Sequence, residues 1–340
     1  MAPRSFFQFV REQYSGMPPV VKTDLAGKTV VVVGANVGIG FEAARHFASM
    51  NPGRLIIACR NQERGEAALS ELKSSTGFSR IELWLVDFTD FASVKGFADK
   101  FDREGGRLDI LVENAGIIPG GYDTTKDGWL TILQTNCIAP SLLALRLLPH
   151  MWKTAEKYST TPRLVLVASD VHYWSSLHKN PVVAKSPDIL KLMSSFEYYS
   201  STSHTDQYQD SKLLNVLFAR DLQSRLLQSN VTVNSVTPAF CVSQLRRSVS
   251  GIMACASSVM ERLLAYTAEE GSRQLVYGAI GGTEEEMRGG FVNFSKVVEP
   301  SDFVISKEGD AMEEKIWNEL MDLLPLVGSS KESLKQYLRL

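Results

Sequence analysis

The sequence predicts an α/β protein: one doubly wound domain around a parallel sheet of about seven strands, with a long insertion before the helix that carries Tyr208. Three observations predict it. From Lys28 onward, short β-branched apolar runs alternate with longer helical patterns. The runs Thr29-Val30-Val31-Val32-Val33 and Arg163-Leu164-Val165-Leu166-Val167 are continuously apolar at their centres, as strands covered on both faces must be. No internal repeat or low-complexity linker divides the pattern.

Taken in order, residues 1–26 form an N-terminal extension. Phe6, Phe7, Phe9 and Val10 are interrupted by Arg4, Arg11, Glu12 and Lys22, which leaves no run of about 18 apolar residues to span a membrane. It reads as a short packing helix ended by Gly16 and Pro18-Pro19, neither a signal peptide nor an anchor. The main domain occupies 27–300. Its strands are expected at 28–33, 54–58, 81–86, 109–112, 163–168, 231–236 and 290–294. Helices are expected at 39–50, 62–74, 91–103, 126–157 with a break at Pro140, 208–228 and 268–280. The segment 175–207, rich in Ser, Lys, Tyr and His, is an insertion, and 242–266 is a second irregular region. Both leave the sheet at its carboxyl edge, where open α/β sheets bind ligands. Residues 301–340 are expected as a C-terminal helical segment.

Composition narrows the partners. An apolar share of 44%, a charged share of 22% and a net charge of -2 describe an ordinary globular chain with no basic field for nucleic acid. Small molecules fit better. Cys59, Cys137, Cys241 and Cys255 are scattered without paired spacing, so neither a disulfide framework nor a zinc site is indicated, and a reducing, cytoplasmic setting is expected.

After the first strand comes Gly34-Ala35-Asn36-Val37-Gly38-Ile39-Gly40, a turn whose backbone can approach a pyrophosphate at a helix N-terminus. Its spacing differs from the G-x-G-x-x-G fingerprint, and a tight turn alone is the other explanation of the glycines. Strand two ends in Cys59-Arg60-Asn61, with an Arg where an NAD site would carry an acid, which points to NADP(H); a solvated strand-end charge is the alternative for Arg60. Asp87 can accept from an exocyclic amine or cap the helix near Phe91. Asn114-Ala115-Gly116 lets the backbone pass close to a ribose.

Moving a hydride to or from carbon needs a proton moved at oxygen. Tyr208 and Lys212 stand four apart on one helix face, so the ammonium can favour the phenolate. Ser169, directly after strand five, can donate to the substrate oxygen. The carboxamide of Asn136 can hold a water between Lys212 and solvent.

Together these motifs resemble the classical short-chain dehydrogenase/reductases from about Gly27 to Phe294, in particular the retinol dehydrogenase and WW-domain oxidoreductase-like branch. The segment after Val171-His172-Tyr173-Trp174 is similar to fungal members, many of which serve secondary metabolism. The resemblance implies a one-domain Rossmann enzyme using NADP(H), with Tyr208 as acid/base, Lys212 as its partner, Ser169 as oxyanion donor and Asn136 as water holder. It also implies cofactor contacts from Ile39, Arg60, Asp87, Asn114 and Pro238 to Ser243, including Cys241 and Val242, and a homodimer or homotetramer. The chain departs from the pattern at Val33, Val37, Glu113, Ala168 and Ala239.

A large hydrophobic substrate is expected, bounded by His172, Tyr173, Trp174 and Phe240, by Phe196, Tyr198 and Tyr199, and by the apolar residues of 242–266. His172 either shapes this pocket or packs beneath the loop. The implied activity is ketone–alcohol interconversion, as a ketoreductase of polyketide type. A retinol- or sterol-type dehydrogenase at a membrane surface and a non-catalytic NADP(H)-binding regulator are the other readings.

Overall fold

The computed structural model describes residues 6–118, 120–228, 230–242 and 261–340. Among them, eight strands form one sheet in the order β3-β2-β1-β4-β5-β6-β7-β8. They are β1 (Thr29–Val33), β2 (Arg54–Cys59), β3 (Ile81–Leu85), β4 (Ile110–Glu113), β5 (Arg163–Val167), β6 (Thr232–Val236), β7 (Phe291–Asn293) and β8 (Lys296–Val298). Pairing is parallel throughout except at β7 and β8. The order reverses direction between β1 and β4, which opens a crevice at their carboxyl ends.

The eighth strand is absent from the sequence expectation. A hairpin joins it to β7 through Phe294 and Ser295, whose φ values are 48° and 54°. Two left-handed residues make the turn that suits a right-twisted hairpin, yet neither is the Gly, Asn or Asp that announces one.

Side chains alternate across the strands. Val31 and Val33 enter one core and Val30 and Val32 the other. The second core lies under α2 (Gly38–Ala48) and α3 (Gln62–Thr76), and also under a later helix, Ala268–Ile280. On the opposite face lie α4 (Phe91–Glu104), α5 (Ala139–Tyr158), α6 (His204–Arg225) and the C-terminal helix Lys307–Leu323. Met312, Ile316, Trp317 and Leu320 of that last helix are buried in the same core as β5.

The expected break at Pro140 takes a specific form. Residues Gln134–Ile138 make a π turn, and Pro140 sits in the first turn of α5. Proline has no N–H for the carbonyl four residues earlier, that of Asn136. The combined stretch Thr131–Tyr158 is long and apolar enough to cross a membrane by composition, but it is mostly buried inside the domain.

Candidate active site

The Tyr208 helix begins with a capping box. Ser203 accepts from Asp206 N–H while the Asp206 carboxylate accepts from Ser203 N–H. Lys212, one turn beyond half-buried Tyr208, is 4% exposed and donates from Nζ to Val167 O at 2.8 Å. Its Nζ lies 5.7 Å from the Tyr208 ring centroid. Burial pulls the Lys212 ammonium down to about 8, with Cys137 beside it acting in the opposite sense. Ser169 follows β5, and its Oγ accepts a long contact from Val171 N–H at 3.4 Å.

Asn136 lies in the π turn and is 1% exposed. Its Oδ1 accepts from Ile117 N–H at 2.8 Å, and its Nδ2 donates to Ile117 O at 3.0 Å and Ser211 Oγ at 3.1 Å. Both N–H groups of the carboxamide thus go to protein partners, while its Oδ1 uses one of its two acceptor positions on Ile117 N–H. A Cβ added to Gly116 would stand 3.3 Å from Asn136 Oδ1 and 3.7 Å from Lys212 Nζ. Gly116, Asn136 and Lys212 thus meet at one point beneath Tyr208.

At the other end, the glycine turn is fixed by close approach. A Cβ on Gly34 would fall 2.8 Å from Ala115 Cα, and one on Gly40 would fall 2.4 Å from both Gly34 O and Asn114 Nδ2. Asn114 donates to Gly34 O at 3.0 Å and so ties the β1 turn to the β4 turn. Val37, the residue before α2, offers no side-chain cap, so the first N–H groups of α2 keep no side-chain partner there. Asn36 and Ile39 lie in this turn and at its helix start, both half-buried. Arg60 is exposed at the end of β2. Asn61 is committed elsewhere, since its Oδ1 caps α3 by accepting from Arg64 N–H at 2.8 Å. Asp87 does not cap α4; Asp90 does, while Asp87 Oδ1 accepts from Thr89 N–H at 2.9 Å and Thr89 Oγ1 at 2.8 Å.

The model of the short chain dehydrogenase family matches residues 28–171. Short chain dehydrogenase/reductase dmxR8 of Cryptosporiopsis sp. is 32% identical over 94% of this chain and 97% of its own length. The chain belongs to the short-chain dehydrogenase/reductase family. Short-chain dehydrogenase anuD of Penicillium roqueforti is 34% identical, covering 95% of this chain and 84% of its own. Among solved structures, an actinorhodin polyketide ketoreductase with NADPH superposes with a TM-score of 0.58 at 21% identity, covering 80% of this chain and 97% of that one. This chain is accordingly an oxidoreductase with the family's sheet.

Two departures from the family pattern have visible consequences in this short-chain dehydrogenase. Glu113 ends β4 buried, neither carboxyl oxygen has a hydrogen-bond partner among the described residues, and burial holds its pKa well above the usual carboxylate range. Ala239 takes φ 62°, a left-handed conformation that costs an alanine about 1 kcal/mol.

Beyond Ser169, His172 is 1% exposed. Its Nδ1 faces Ser169 O at 2.8 Å and its Nε2 accepts from Ser301 N–H at 3.2 Å. That places the proton on Nδ1, donated to Ser169 O. Both nitrogens are engaged and the ring is buried, which favours the second of the two expectations for His172, packing beneath the loop, over lining the pocket. Tyr173 turns away as well, donating to Glu299 O at 2.5 Å. Trp174 and Phe240, in contrast, converge on Phe9 of α1 (Phe6–Gln13). Cys241 is buried and donates to Pro238 O at 2.9 Å, while Val242 is exposed and pairs through N–H with Tyr266 O at 2.9 Å. Ser243 lies outside the described residues, as do Ile252, Met253, Val259 and Met260.

The insertion 175–207 holds short helical turns rather than open loop: Leu177–Lys179, Pro181–Lys185, Ile189–Met193 and Phe196–Ser201. Phe196 and Tyr199 gather around Tyr122. Tyr198 departs most from expectation. It is 4% exposed and donates to Asp210 Oδ2 at 2.5 Å, while Ser175 donates to Asp210 Oδ1 at 2.6 Å. The sequence did contain a signal for this site: an Asp between Tyr208 and Lys212, in a helix buried on nearly every side, needs donors from elsewhere in the chain.

Proposed function

We propose that this chain is an NADP(H)-dependent ketoreductase that interconverts a hydrophobic ketone and its secondary alcohol, of polyketide type. One observation carries the reading. Tyr208, Lys212, Asn136 and Gly116 are gathered around a single enclosed point, with Ser169 at the end of the adjacent strand. The residues present suit the dinucleotide: glycine at Gly34 and Gly40 lets the turn close onto Asn114 and Ala115, a Cβ at Gly38 at the start of α2 would meet nothing within 4 Å, and exposed Arg60 stands at the end of the next strand. The naming of a fold neighbour as a polyketide ketoreductase with NADPH, and of curated relatives from Cryptosporiopsis and Penicillium roqueforti as short-chain dehydrogenases, supports the same reading.

When bound, the nicotinamide supplies the hydride. Ser169 Oγ donates a hydrogen bond to the carbonyl oxygen and polarises it. Tyr208 gives its hydroxyl proton to that oxygen as charge develops. Lys212, fixed through Val167 O, places a positive charge beneath the phenol and favours the phenolate left behind. Asn136 holds the Ile117 backbone, and its own carbonyl, deprived by Pro140 of the helical donor, is the acceptor for a water that reprotonates Lys212. Asp87, Asn114, Ala115 and the Pro238–Val242 backbone complete the cofactor walls. We assign the enzyme to the cytoplasm, as a homodimer or homotetramer.

Fluorescence titration of NADPH and NADH tests the cofactor assignment. NADPH is expected to bind about tenfold or more tightly, and Arg60→Ala to abolish the preference. Tyr208→Phe is expected to lower kcat by about 10³ with NADPH affinity retained. Unchanged turnover in that variant overturns the reaction.

A further inference from the structure

We propose that helix α1 forms one wall of the substrate site, and that Phe9 sets the size of the apolar ketone admitted. The proposal rests on the ketoreductase reading above. On α1, Phe9 and Gln13 stand four apart and are 7% and 5% exposed, whereas Phe7 and Tyr14 are 79% and 69% exposed. The helix therefore turns one stripe inward. The Phe9 ring meets Trp174 edge-on at 5.8 Å and Phe240 at 6.1 Å. Trp174 follows Ser169 from the end of β5, and Phe240 follows Pro238 from the end of β6. Phe9 thus joins the segment that follows Ser169 after β5 to the segment that follows Pro238 after β6.

An eight-residue helix is not stable alone in water, so its place depends on what anchors it. With its amide nitrogen turned toward two carbonyls, Gln13 donates to Phe240 O at 3.2 Å and Leu264 O at 3.1 Å. Tyr266 donates through its hydroxyl to Glu12 O at 3.0 Å, and Met17 packs with Cys241 and Tyr266. These bonds fasten the extension to Phe240 and to Leu264 and Tyr266, the last of which pairs with the backbone of Phe240 and Val242. The surface so formed is aromatic and uncharged at Phe9, Trp174 and Phe240. Rings locked edge-to-face present a stiff apolar wall that suits a fused-ring ketone better than a small or anionic one.

The test is calorimetric titration of the full chain, loaded with NADP+, using cyclohexanone and 2-decalone. Phe9→Ala is expected to weaken 2-decalone about tenfold and cyclohexanone less than about twofold. Phe9→Trp, which narrows the site, is expected to weaken 2-decalone alone. In turnover, KM for 2-decalone follows the same factor, and kcat stays within about twofold because Phe9 touches no reacting atom. Equal affinity for both ketones across wild type and variants overturns the proposal, as does a wild type that binds neither. Parallel loss of NADP+ affinity in Phe9→Ala also overturns it, by assigning Phe9 to the fold. NADPH binding and Tyr208→Phe judge the ketoreductase reading separately, so either can fail without the other.

Discussion

The two faces of helix α6 carry buried ionisable groups of opposite sign, two residues apart, and hold them differently. Lys212 on the reacting face donates to a backbone carbonyl, Val167 O, at 2.8 Å, and burial brings its ammonium down to about 8. Asp210 on the other face has two hydroxyl donors, at 2.6 and 2.5 Å, yet burial still lifts its carboxyl to about 6. Neither forms an ion pair among the described residues. A charge held by dipoles stays titratable, which a proton relay needs at Lys212. At Asp210 the same arrangement serves attachment, because both hydroxyls belong to the insertion 175–207.

Breaking the reacting face should have the largest effect. Lys212→Met is expected to lower kcat by about 10²–10³ and to weaken NADPH, as stopped-flow turnover and fluorescence titration would show. The pH dependence of stability carries a sign as well. Lys212 binds its proton less tightly when folded, so its contribution rises between about pH 8 and the unfolded value near 10.4. Cys137, pushed up to about 12 by burial, acts in the opposite sense over that range. Because the two groups are coupled, the comparison is made in a Cys137→Ala background, where the difference between Lys212 and Lys212→Met in denaturant melts isolates the lysine and a flat difference would show that Lys212 is not desolvated.

The reacting face was legible in the sequence because its chemistry is local. Tyr208 and Lys212 share a helix turn, Ser169 ends an apolar run, and the glycines precede a helix. Most of the sheet was legible for the same reason, the central strands β1, β2, β4 and β5 being near-continuous apolar runs. What escaped was set by contacts between distant segments. Asp210 finds Tyr198 and Ser175 through an insertion whose path no periodicity gives. His172 is consumed by Ser301, far along the chain, and β8 depends on a Phe294-Ser295 turn of unexpected composition. Phe9 reaches Trp174 across almost half of the chain and Phe240 across about two thirds of it.

Asp210→Asn is expected to have an intermediate effect, on stability rather than rate. The folded state keeps the Asp210 proton to about pH 6, whereas the unfolded chain releases it near 3.9. Between these values the folded state binds more protons, so stability falls as pH rises. Wild type should lose up to about 3 kcal/mol relative to Asp210→Asn between pH 4 and 7. Glu313, lifted to about 7 by burial, titrates in the same window but is common to both proteins and cancels in the comparison. Urea melts across this range check the slope, and parallel curves would remove the buried-carboxylate account.

The smallest effect, and the one that separates the faces most cleanly, is expected from Tyr198→Phe. The ring stays in its buried site while one hydroxyl donor to Asp210 is lost, a change of about 1.5 kcal/mol for a bond to a charged acceptor. That donor also favours the Asp210 carboxylate, so without it the carboxyl should titrate higher and the fall in stability should move to higher pH. If Asp210 serves only attachment, kcat stays within about twofold of wild type while the melting curve shifts. A tenfold loss of kcat with an unchanged melt would mean that the insertion sets the position of Tyr208 and Lys212 through the helix they share, and the two faces would have to be treated as one site.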